Sequence, residues 1–368
     1  MTKKLVLVGG GHAHMMTLQN LDRFTDKGHE VTVIGPSRYH YYSGMGPGML
    51  GRDYRPEDIR FDTEKTVESR GGTFLKGKAA DIDPESKNVI LESGDRVPYD
   101  VLSLNAGSHV DTGMVRGENE NLFTVKPIEK LYEAGLIIEK LSFEGPVRVA
   151  VVGGGPSAAE ISGNVANLGK KFCKKQVDVT VFAGKSFMKK FPAGVTKRVE
   201  KVLAQNGVKI DRSGYVDSIE NNRVVLDSGK STEAEVIFLA TGVRPSDMMQ
   251  RAGIPTGPDL GMSVNSYLQS EKYPEIFGGG DCIHFSDRPV DKVGVYAVRE
   301  NPVLLHNLEA ALDGGEFQTF TPQESYLLIF NLGGKTGVLR KGGITFNGKP
   351  AFMIKDHIDR KFIKNFQE

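Results

Sequence analysis

Two short glycine-rich turns are the residues of this sequence whose spacing points most directly to chemistry. They occupy residues 9–11 and 153–155, and each directly follows an apolar run. A glycine turn between a strand and a helix lets a pyrophosphate approach the backbone, and the N-terminus of the helix attracts its negative charge. One such turn is a weak signal. Two of them predict two dinucleotides, a flavin at the first and a nicotinamide at the second.

The residues around the turns are candidate phosphate contacts. Gly9 and Gly11 would let the backbone approach the flavin pyrophosphate, and the helix that starts at His12 would direct free N–H groups at it. The second turn repeats the pattern for the nicotinamide dinucleotide, and its small residues are Gly153, Gly155 and Ala158.

Both units lack the acidic residue that usually binds the adenosine ribose about twenty positions after the glycines. The corresponding positions are Ser37 and Arg38 in the first unit and Lys185 in the second. We predict that Ser37 and Arg38 hold the adenosine of FAD, and that Lys185 favours the 2′-phosphate of NADPH. The alternative for these charges is an ordinary solvated surface loop.

Further residues are predicted to surround the flavin. Residues 39–48 combine aromatic side chains with glycines, which predicts a pliable loop that forms the wall of a flat ring. An ordinary surface loop is the alternative. Asp281 follows a strand and a glycine run, where it would accept hydrogen bonds from ribitol hydroxyls. The remaining candidate cofactor contacts are Ser43, Gly44, Ala106, Gly107, Gly242, Gly280 and Val295.

Composition narrows the class of protein. The 368 residues carry 47 basic and 46 acidic side chains, so a net charge of +1 argues against a nucleic-acid partner. No apolar run reaches the length of a membrane-spanning helix, and no metal site is predicted. The two cysteines, Cys173 and Cys282, form no C-x-x-C motif. This usage predicts a cytoplasmic protein without a redox-active disulfide.

The order of apolar runs and turns predicts an α/β fold. It has two Rossmann-like dinucleotide-binding domains, with parallel sheets and β-meander crossovers, and a small C-terminal α+β segment. The predicted divisions are residues 1–117 and 244–317 for the two parts of the FAD domain, 118–243 for the NAD(P) domain and 318–368 for the C-terminal segment.

The C-terminal segment is predicted to end in an amphipathic helix. Ile354, Ile358, Phe362 and Phe366 follow one another in four-residue steps, with basic residues between them. Such a helix would lie on a membrane surface near a quinone pool. Two alternatives are that it caps the core of its own chain or contacts the partner in a homodimer.

These landmarks resemble those of the pyridine nucleotide-disulphide oxidoreductases over residues 4–312. Without a disulfide motif, the chain resembles the branch of type II NADH dehydrogenases and sulfide:quinone oxidoreductases. More narrowly, residues 9–14, 42–45, 294–299 and 355–362 resemble the NADH-dehydrogenase-like domain fused to some selenide, water dikinases. The resemblance implies FAD, NAD(P)H and a role for Glu160 near the flavin–nicotinamide contact. The alternative for Glu160 is an acid favoured by the helix dipole.

The predicted function is hydride transfer from NADH or NADPH to FAD, which a quinone then reoxidises. Candidate residues on the acceptor side are Tyr42, Met45, Tyr296 and Arg299. The alternatives are sulfide- or selenium-linked chemistry on the same flavin, and a flavin module for electron transfer or redox sensing without turnover. Sulfide oxidation needs a cysteine pair at the flavin, whereas Cys282 is predicted to be a buried packing residue. The protein is predicted to be cytoplasmic, or peripheral on the inner face of the membrane.

Overall fold

The structure, a computed structural model, describes residues 1–367, which form twenty-four strands and ten α-helices. The strands in chain order are β1 (Lys4–Val8), β2 (Glu30–Gly35), β3 (Tyr39–Tyr41), β4 (Arg60–Asp62), β5 (Thr73–Lys76), β6 (Ala79–Asp83), β7 (Asn88–Leu91), β8 (Arg96–Pro98), β9 (Val101–Leu104), β10 (Val115–Arg116), β11 (Leu122–Thr124), β12 (Val147–Val152), β13 (Val177–Phe182), β14 (Lys209–Asp211), β15 (Val216–Glu220), β16 (Arg223–Leu226), β17 (Ser231–Glu233), β18 (Val236–Leu239), β19 (Met262–Val264), β20 (Ile276–Gly278), β21 (Ile283–Phe285), β22 (Leu328–Asn331), β23 (Gly337–Lys341) and β24 (Ile344–Gly348). The helices are α1 (Met15–Gln19), α2 (Asp22–Thr25), α3 (Gly46–Leu50), α4 (Thr63–Glu68), α5 (Glu129–Glu144), α6 (Pro156–Phe172), α7 (Ala193–Gln205), α8 (Met248–Arg251), α9 (Gly294–Asp313) and α10 (Lys349–Gln367).

The first glycine turn follows the central strand of a five-stranded parallel sheet. The strand order is β20-β9-β1-β2-β5, and every pairing in it is parallel. Four of the five residues of β1 are buried, as expected for a strand covered by helices on both faces. Strand β20 comes from much later in the chain and closes one edge of this sheet beside β9.

The second glycine turn follows the central strand of a second parallel sheet. Its order is β11-β18-β12-β13-β14. Antiparallel sheets lie in the crossovers of both units: β6-β7-β8 in the first, and β15-β16-β17 with the parallel strand β10 in the second. The predicted α/β class with two Rossmann-like sheets is therefore confirmed. The proposed division of the chain into four segments stays a prediction.

The stretch at residues 39–48 differs from the predicted pliable loop. It forms strand β3, a 3₁₀ turn at Ser43–Met45 and the start of helix α3, which is buried throughout. A Cβ atom at Gly48 would lie 2.5 Å from the ring of Tyr54, and one at Gly46 would lie 2.9 Å from Ile128. These glycines therefore allow close packing of α3.

Helix α10 packs on the three-stranded antiparallel sheet β22-β23-β24, and its predicted row of apolar residues is divided between solvent and the protein. Ile354 and Ile358 are 39% and 43% exposed, while Phe362 is half-buried. A four-residue step rotates about 40° around an α-helix, so the row of apolar residues spirals from solvent toward the protein. The charged residues Lys355 and Asp359 face inward, where they pair with each other at 2.7 Å.

Candidate functional site

The first glycine turn is held tightly against the end of strand β9. Gly9 has a φ of +92°, and a Cβ atom there would overlap the carbonyl oxygen of Asn105. A Cβ atom at Gly11 would overlap the Asn105 side-chain oxygen. The side-chain nitrogen of Asn105 donates to the carbonyl oxygen of Gly279 at 2.7 Å, so this residue joins the turn after β1 to the turn after β20.

His14 stands where a third glycine is common in such turns, and it has a structural role. Its Nδ1 lies 2.6 Å from the carbonyl oxygen of Gly9, and its Nε2 lies 2.8 Å from the Ser103 hydroxyl. Burial lowers the pKa of His14 to about 4, so the ring is neutral at pH 7. Through these two hydrogen bonds, His14 fixes the first glycine turn against β9.

Three buried polar atoms without hydrogen-bond partners gather beside this turn: Nε2 of His12, Nε2 of His40 and Oδ1 of Asn105. The His12 and His40 ring centroids are 5.3 Å apart. Burial lowers the pKa of His12 to about 4 and that of His40 to about 3. A buried polar atom without a partner costs about 1–3 kcal/mol. The cluster therefore fits a ligand rich in hydrogen-bonding groups, as FAD is along its pyrophosphate and ribitol.

Asp281 follows the turn after β20 and is bound by two side chains. Its Oδ2 accepts hydrogen bonds from Lys126 Nζ and from the Ser108 hydroxyl, both at 2.6 Å. The ammonium of Lys126 also donates to Ser108 at 2.8 Å. Burial opposes ionisation, but the charge of Lys126 and the hydrogen bonds from Lys126 and Ser108 together outweigh it and hold the pKa of Asp281 below its usual value. Asp281 is therefore a carboxylate at neutral pH.

The second glycine turn repeats the close approach of the first. Gly153 has a φ of +143°, and a Cβ atom there would overlap the carbonyl oxygen of Ala240 after β18. The backbone nitrogen of Met188, in the loop after β13, donates to the carbonyl oxygen of Gly154 at 2.6 Å. A Cβ atom at Gly155 would meet nothing within 4 Å, so this residue faces open space. Ala158 is buried in the first turn of α6.

Glu160 lies in helix α6 just after the second glycine turn. Its Oε1 accepts a hydrogen bond from the backbone nitrogen of Asn331 at 2.8 Å. Burial raises the pKa of Glu160 to about 7, although the nearby Lys355 ammonium acts in the opposite direction. At neutral pH this carboxyl group is therefore divided between its protonated and ionised forms.

Lys355 and Asp359 connect helix α10 to the residues near the first turn. The ammonium of Lys355 donates to Asp359 at 2.7 Å and to the carbonyl oxygen of Gly44 at 2.8 Å. The hydroxyl of Tyr42 donates to Asp359 at 3.1 Å, and its ring stacks on Phe362 with centroids 4.9 Å apart. Together with Glu160, these three polar residues form what we call the acid–lysine group: Glu160, Tyr42, Lys355 and Asp359.

The geometry of both turns matches the result of comparison with known proteins. A family model described as pyridine nucleotide-disulphide oxidoreductase matches residues 3–307. The chain belongs to this family. As predicted, it is an FAD-dependent oxidoreductase that uses NAD(P)H.

Relatives within the pyridine nucleotide-disulphide oxidoreductases span nearly the whole chain. The type II NADH:quinone oxidoreductase of Staphylococcus epidermidis is 24% identical over 395 residues, covering 98% of this chain and 95% of the relative. The crystal structure of the sulfide:quinone oxidoreductase of Aquifex aeolicus has a TM-score of 0.80 at 20% identity, covering 100% and 92% of the two chains. The structure of NDH2 from Plasmodium falciparum in complex with NADH has a TM-score of 0.78 at 14% identity, covering 99% and 98%. The narrower resemblance to the domain fused to selenide, water dikinases stays a prediction.

The other predicted acceptor-side residues of this family member lie in different surroundings. Met45 is buried, and its backbone nitrogen donates to the carbonyl oxygen of Tyr42 at 3.1 Å. Tyr296, buried in α9, packs edge-on against Tyr326. Arg299 is exposed on the same helix. Within residues 1–367, neither Tyr296 nor Arg299 contacts the acid–lysine group.

The predicted adenosine contacts are engaged with protein groups. Arg38 forms a two-pronged ion pair with Asp62, with nitrogen–oxygen distances of 2.9 and 2.6 Å. The Ser37 hydroxyl accepts from the backbone nitrogen of Tyr39 at 3.2 Å. Lys185 is exposed, with its ammonium 5.9 Å from the ring centroid of Tyr215. These residues stay predictions as cofactor contacts.

The remaining predicted contacts are small residues in the turns after strands. Gly107 and Gly242 adopt positive φ angles of +69° and +111°, and a Cβ atom at either would meet nothing within 4 Å. Gly280 adopts +76°, and a Cβ atom there would lie 2.6 Å from the Asn105 side-chain nitrogen. The others are Ser43 at the start of a 3₁₀ turn, Ala106 after β9, and Val295 in the first turn of α9.

Sequence reasoning missed Lys126, His40, Asn105 and Asp359 as site residues. A signal was present for two of them: Asn105 is polar at the end of an apolar strand, and Lys126 stands at the crossover between the two sheets, just before Pro127. No signal marks Asp359, because its importance depends on which face of α10 is buried.

Proposed function

We propose that this chain is an NAD(P)H dehydrogenase that passes electrons through FAD to a quinone. The observation that carries the proposal is the acid–lysine group. Lys355 and Asp359 bind Gly44 and Tyr42 beside the first glycine turn, and their charges act on Glu160 in the helix of the second. A quinone takes up two protons when it is reduced, so its site needs proton donors in a partly buried place. The names of the Staphylococcus relative and of the Aquifex structure both include a quinone acceptor.

The residues of the group have properties suited to this reaction. FAD, when bound, accepts hydride from the nicotinamide and releases the electrons to the acceptor. The Glu160 carboxyl, with a pKa of about 7, can hold a proton and release it near neutral pH. The Lys355 ammonium can donate a hydrogen bond to a quinone oxygen, and Asp359 fixes its position. Tyr42 keeps its proton, because burial raises the pKa of its hydroxyl well above the usual value.

The cysteines favour a quinone over sulfur chemistry. Cys282 is 1% exposed, and its thiol donates to the carbonyl oxygens of Leu104 and Gly279, both at 3.3 Å. Burial raises the pKa of this thiol to about 11. The thiolate is the form that attacks sulfur compounds, and Cys282 is a thiol at neutral pH. Cys173, the other cysteine, lies at the end of α6.

We further propose that α10 lies on a membrane surface. Its outer side exposes Met353, Ile354 and Ile358, and Ile344 at the start of β24 is 65% exposed. Lys361 and Lys364 are also exposed on this helix. Exposed apolar and basic residues together favour the interface of an anionic bilayer. No helix in residues 1–367 is long and apolar enough to span a bilayer.

The test is anaerobic rapid mixing of the FAD-loaded protein with NADH, NADPH or sulfide in separate experiments. We expect one of the nicotinamides to bleach the flavin rapidly and sulfide to do so slowly. Addition of a soluble quinone should then restore the flavin absorbance. Bleaching by sulfide alone would indicate sulfur chemistry, and no bleaching by any of the three would indicate an electron-transfer module.

A matched pair of variants tests the acid–lysine group. Glu160→Gln should slow reoxidation by quinone at least tenfold, because general acid catalysis contributes about 10²–10⁴-fold. Glu133→Gln, an exposed residue of α5, should leave this rate unchanged. Equal rates in both variants would contradict the role of Glu160. The proposed homodimer and cytoplasmic location remain predictions.

A further inference from the structure

The contacts of Lys126 suggest a role that the proposed function does not use. This residue follows strand β11, and its ammonium donates to Asp281 at 2.6 Å and to Ser108 at 2.8 Å. The Lys126 side chain is 28% exposed and that of Asp281 is 14% exposed. A lysine held at two points in a half-buried cleft has a more defined position than a surface lysine.

The ammonium of Lys126 is connected to the first glycine turn through Asp281. Asp281 directly follows Gly280, where a Cβ atom would lie 2.6 Å from the Asn105 side-chain nitrogen, and Asn105 packs against Gly9 and Gly11. The imidazoles of His12 and His40 are neutral at pH 7, so they bring no positive charge to this cleft. Lys126 brings one, offset by the Asp281 carboxylate, and Ser108 and Asp281 fix the position of the ammonium.

A second lysine near Asp281 has a different environment. The ammonium of Lys292 binds Asp259 at 2.9 Å and also donates to the carbonyl oxygen of Ile283. Its charge influences Asp281 but is absent from the causes that shift His12 and His40. Lys292 therefore serves as a control: a lysine whose charge also influences Asp281 but whose own ion pair is with Asp259.

We propose that Lys126 is a cofactor-positioning residue whose ammonium stabilises the negative charge that FAD gains on reduction. If bound FAD took a hydride from the nicotinamide, NAD(P)⁺ would leave and the flavin would gain the single negative charge that the hydride carries. A fixed cation near that charge favours the reduced form, more strongly in a half-buried cleft than in water. Asp281 and Ser108 hold the cation in place. The proposal needs bound FAD and is independent of the acceptor.

The alternative role for Lys126 is a tether between the two sheets, since it follows β11 while Asp281 follows β20. The two roles predict different measurements. A tether contributes to the free energy of unfolding and leaves the reduction equilibrium of bound FAD unchanged. A charge that stabilises reduced FAD changes this equilibrium whether or not the stability of the protein changes.

The experiment compares Lys126→Met, Lys126→Arg and Lys292→Met with the unmodified protein, each loaded with FAD. The reduction equilibrium of the bound flavin is measured against a reference dye, without quinone, and FAD affinity is measured by fluorescence. We expect Lys126→Met to shift the equilibrium at least tenfold toward oxidised flavin, which is about 30 mV for a two-electron couple. Lys126→Arg keeps the charge and Lys292→Met keeps Lys126, so both should stay within threefold.

An unchanged equilibrium in Lys126→Met would overturn the proposal, and a loss of thermal stability in the same variant would then identify a tether. A tenfold shift in Lys292→Met would also overturn it, because the effect would not be specific to Lys126. If Lys126→Met does not retain FAD, Lys126→Gln replaces it and is judged by the same thresholds. A failed quinone assay would contradict the proposed acceptor and leave this measurement unaffected.

Discussion

Glu300 is a buried acid whose environment makes the stability of the protein depend on pH. It is 1% exposed in α9, and its Oε2 accepts from the backbone nitrogen of Gly280 at 2.5 Å. Burial raises the pKa of Glu300 to about 7, and the charge of Asp281 adds to this effect. In the unfolded chain the same group titrates near 4.5. Between these values the unfolded state releases a proton that the folded state keeps, so stability falls as pH rises.

We therefore predict that Glu300→Gln stabilises the protein at alkaline pH. The amide oxygen can still accept from Gly280, but the side chain cannot ionise. The gain should be about 2 kcal/mol at pH 8, since one pKa unit corresponds to about 1.4 kcal/mol and neighbouring groups share part of the shift. It should vanish below pH 4.5. Urea unfolding at pH 8 and pH 4.5 measures it, and an equal gain at both pH values would contradict the explanation.

Asp359 and Asp356 form a natural pair for comparison on helix α10. Asp359→Ala would leave the Lys355 ammonium buried without its carboxylate, and the side chains of this pair are only 6% and 11% exposed. We expect a loss of about 3 kcal/mol in the free energy of unfolding. Asp356→Ala should cost about 1–2 kcal/mol, because its ion-pair partner Arg360 is 55% exposed, while the Tyr54 hydroxyl also loses its acceptor. Urea unfolding measures both losses in the free energy of unfolding. Equal losses would show that the buried pair Lys355–Asp359 contributes no more stability than the exposed pair Asp356–Arg360.

At the scale of elements, the turn from β12 to α6 offers a way to block one cofactor and keep the other. Gly155 faces open space at the second glycine turn. The Gly155→Trp variant should therefore fold, but its indole ring should fill the space for the nicotinamide dinucleotide and reduce the rate of flavin bleaching by nicotinamide at least a hundredfold. The FAD content should stay unchanged, because the first glycine turn lies in the other sheet. Gly194→Trp, at an open position in α7, is the control. Bleaching of Gly155→Trp at the rate of the unmodified protein would refute the assignment of the nicotinamide dinucleotide to the second glycine turn.

The elements that could be predicted from sequence are those with a strong local signal. Strands β1 and β12 are apolar runs that end in glycine turns, and this pattern alone predicts a buried parallel strand before a phosphate cradle. Helix α3 could not be predicted, because its glycines are needed for contacts with residues distant in sequence, Ile128 at Gly46 and Asn331 at Gly48. The inner face of α10 could not be predicted for a related reason. Its polar residues are buried because their partners Tyr42 and Gly44 lie more than three hundred positions earlier.

The candidate site shows the same contrast between residues with a local sequence signal and residues that only the fold brings together. Glycine spacing predicted phosphate sites at both turns, and the glutamate after the second turn was identified from a family resemblance. Lys126 and Asn105 lie near the first turn because the fold brings the ends of β1, β9, β11 and β20 together, and His40 reaches it from β3. No spacing along the chain encodes that meeting point. Sequence therefore predicts the cofactor class better than it predicts the charges around the cofactor.

At the scale of the whole molecule, the exposed apolar residues of α10 predict binding to lipid vesicles. The protein should bind vesicles that contain anionic lipid, and binding should weaken as salt is raised. The double variant Ile354→Glu and Ile358→Glu should reduce binding at least tenfold, because each isoleucine contributes about 1.5–3 kcal/mol when fully buried. Vesicle flotation measures the bound fraction.

The control for this prediction is Phe143→Glu. Phe143 is 64% exposed on α5, outside the C-terminal segment. It should leave vesicle binding unchanged, and all variants should unfold at the same urea concentration because the substituted residues are exposed. Equal loss of binding in the control and the double variant would mean that the attachment is not specific to α10.

The position of β20 also has a consequence for how the protein is made. A ribosome produces β1, β2, β5 and β9 first, but the strand that closes the edge of their sheet beside β9 emerges only after the whole second sheet. The nascent first sheet therefore has an open edge while the second sheet can already be completed. Open edges of hydrophobic sheets are where chains associate wrongly. The unit that begins the sequence is therefore finished only after the second sheet, and its open edge is exposed to wrong association during this interval.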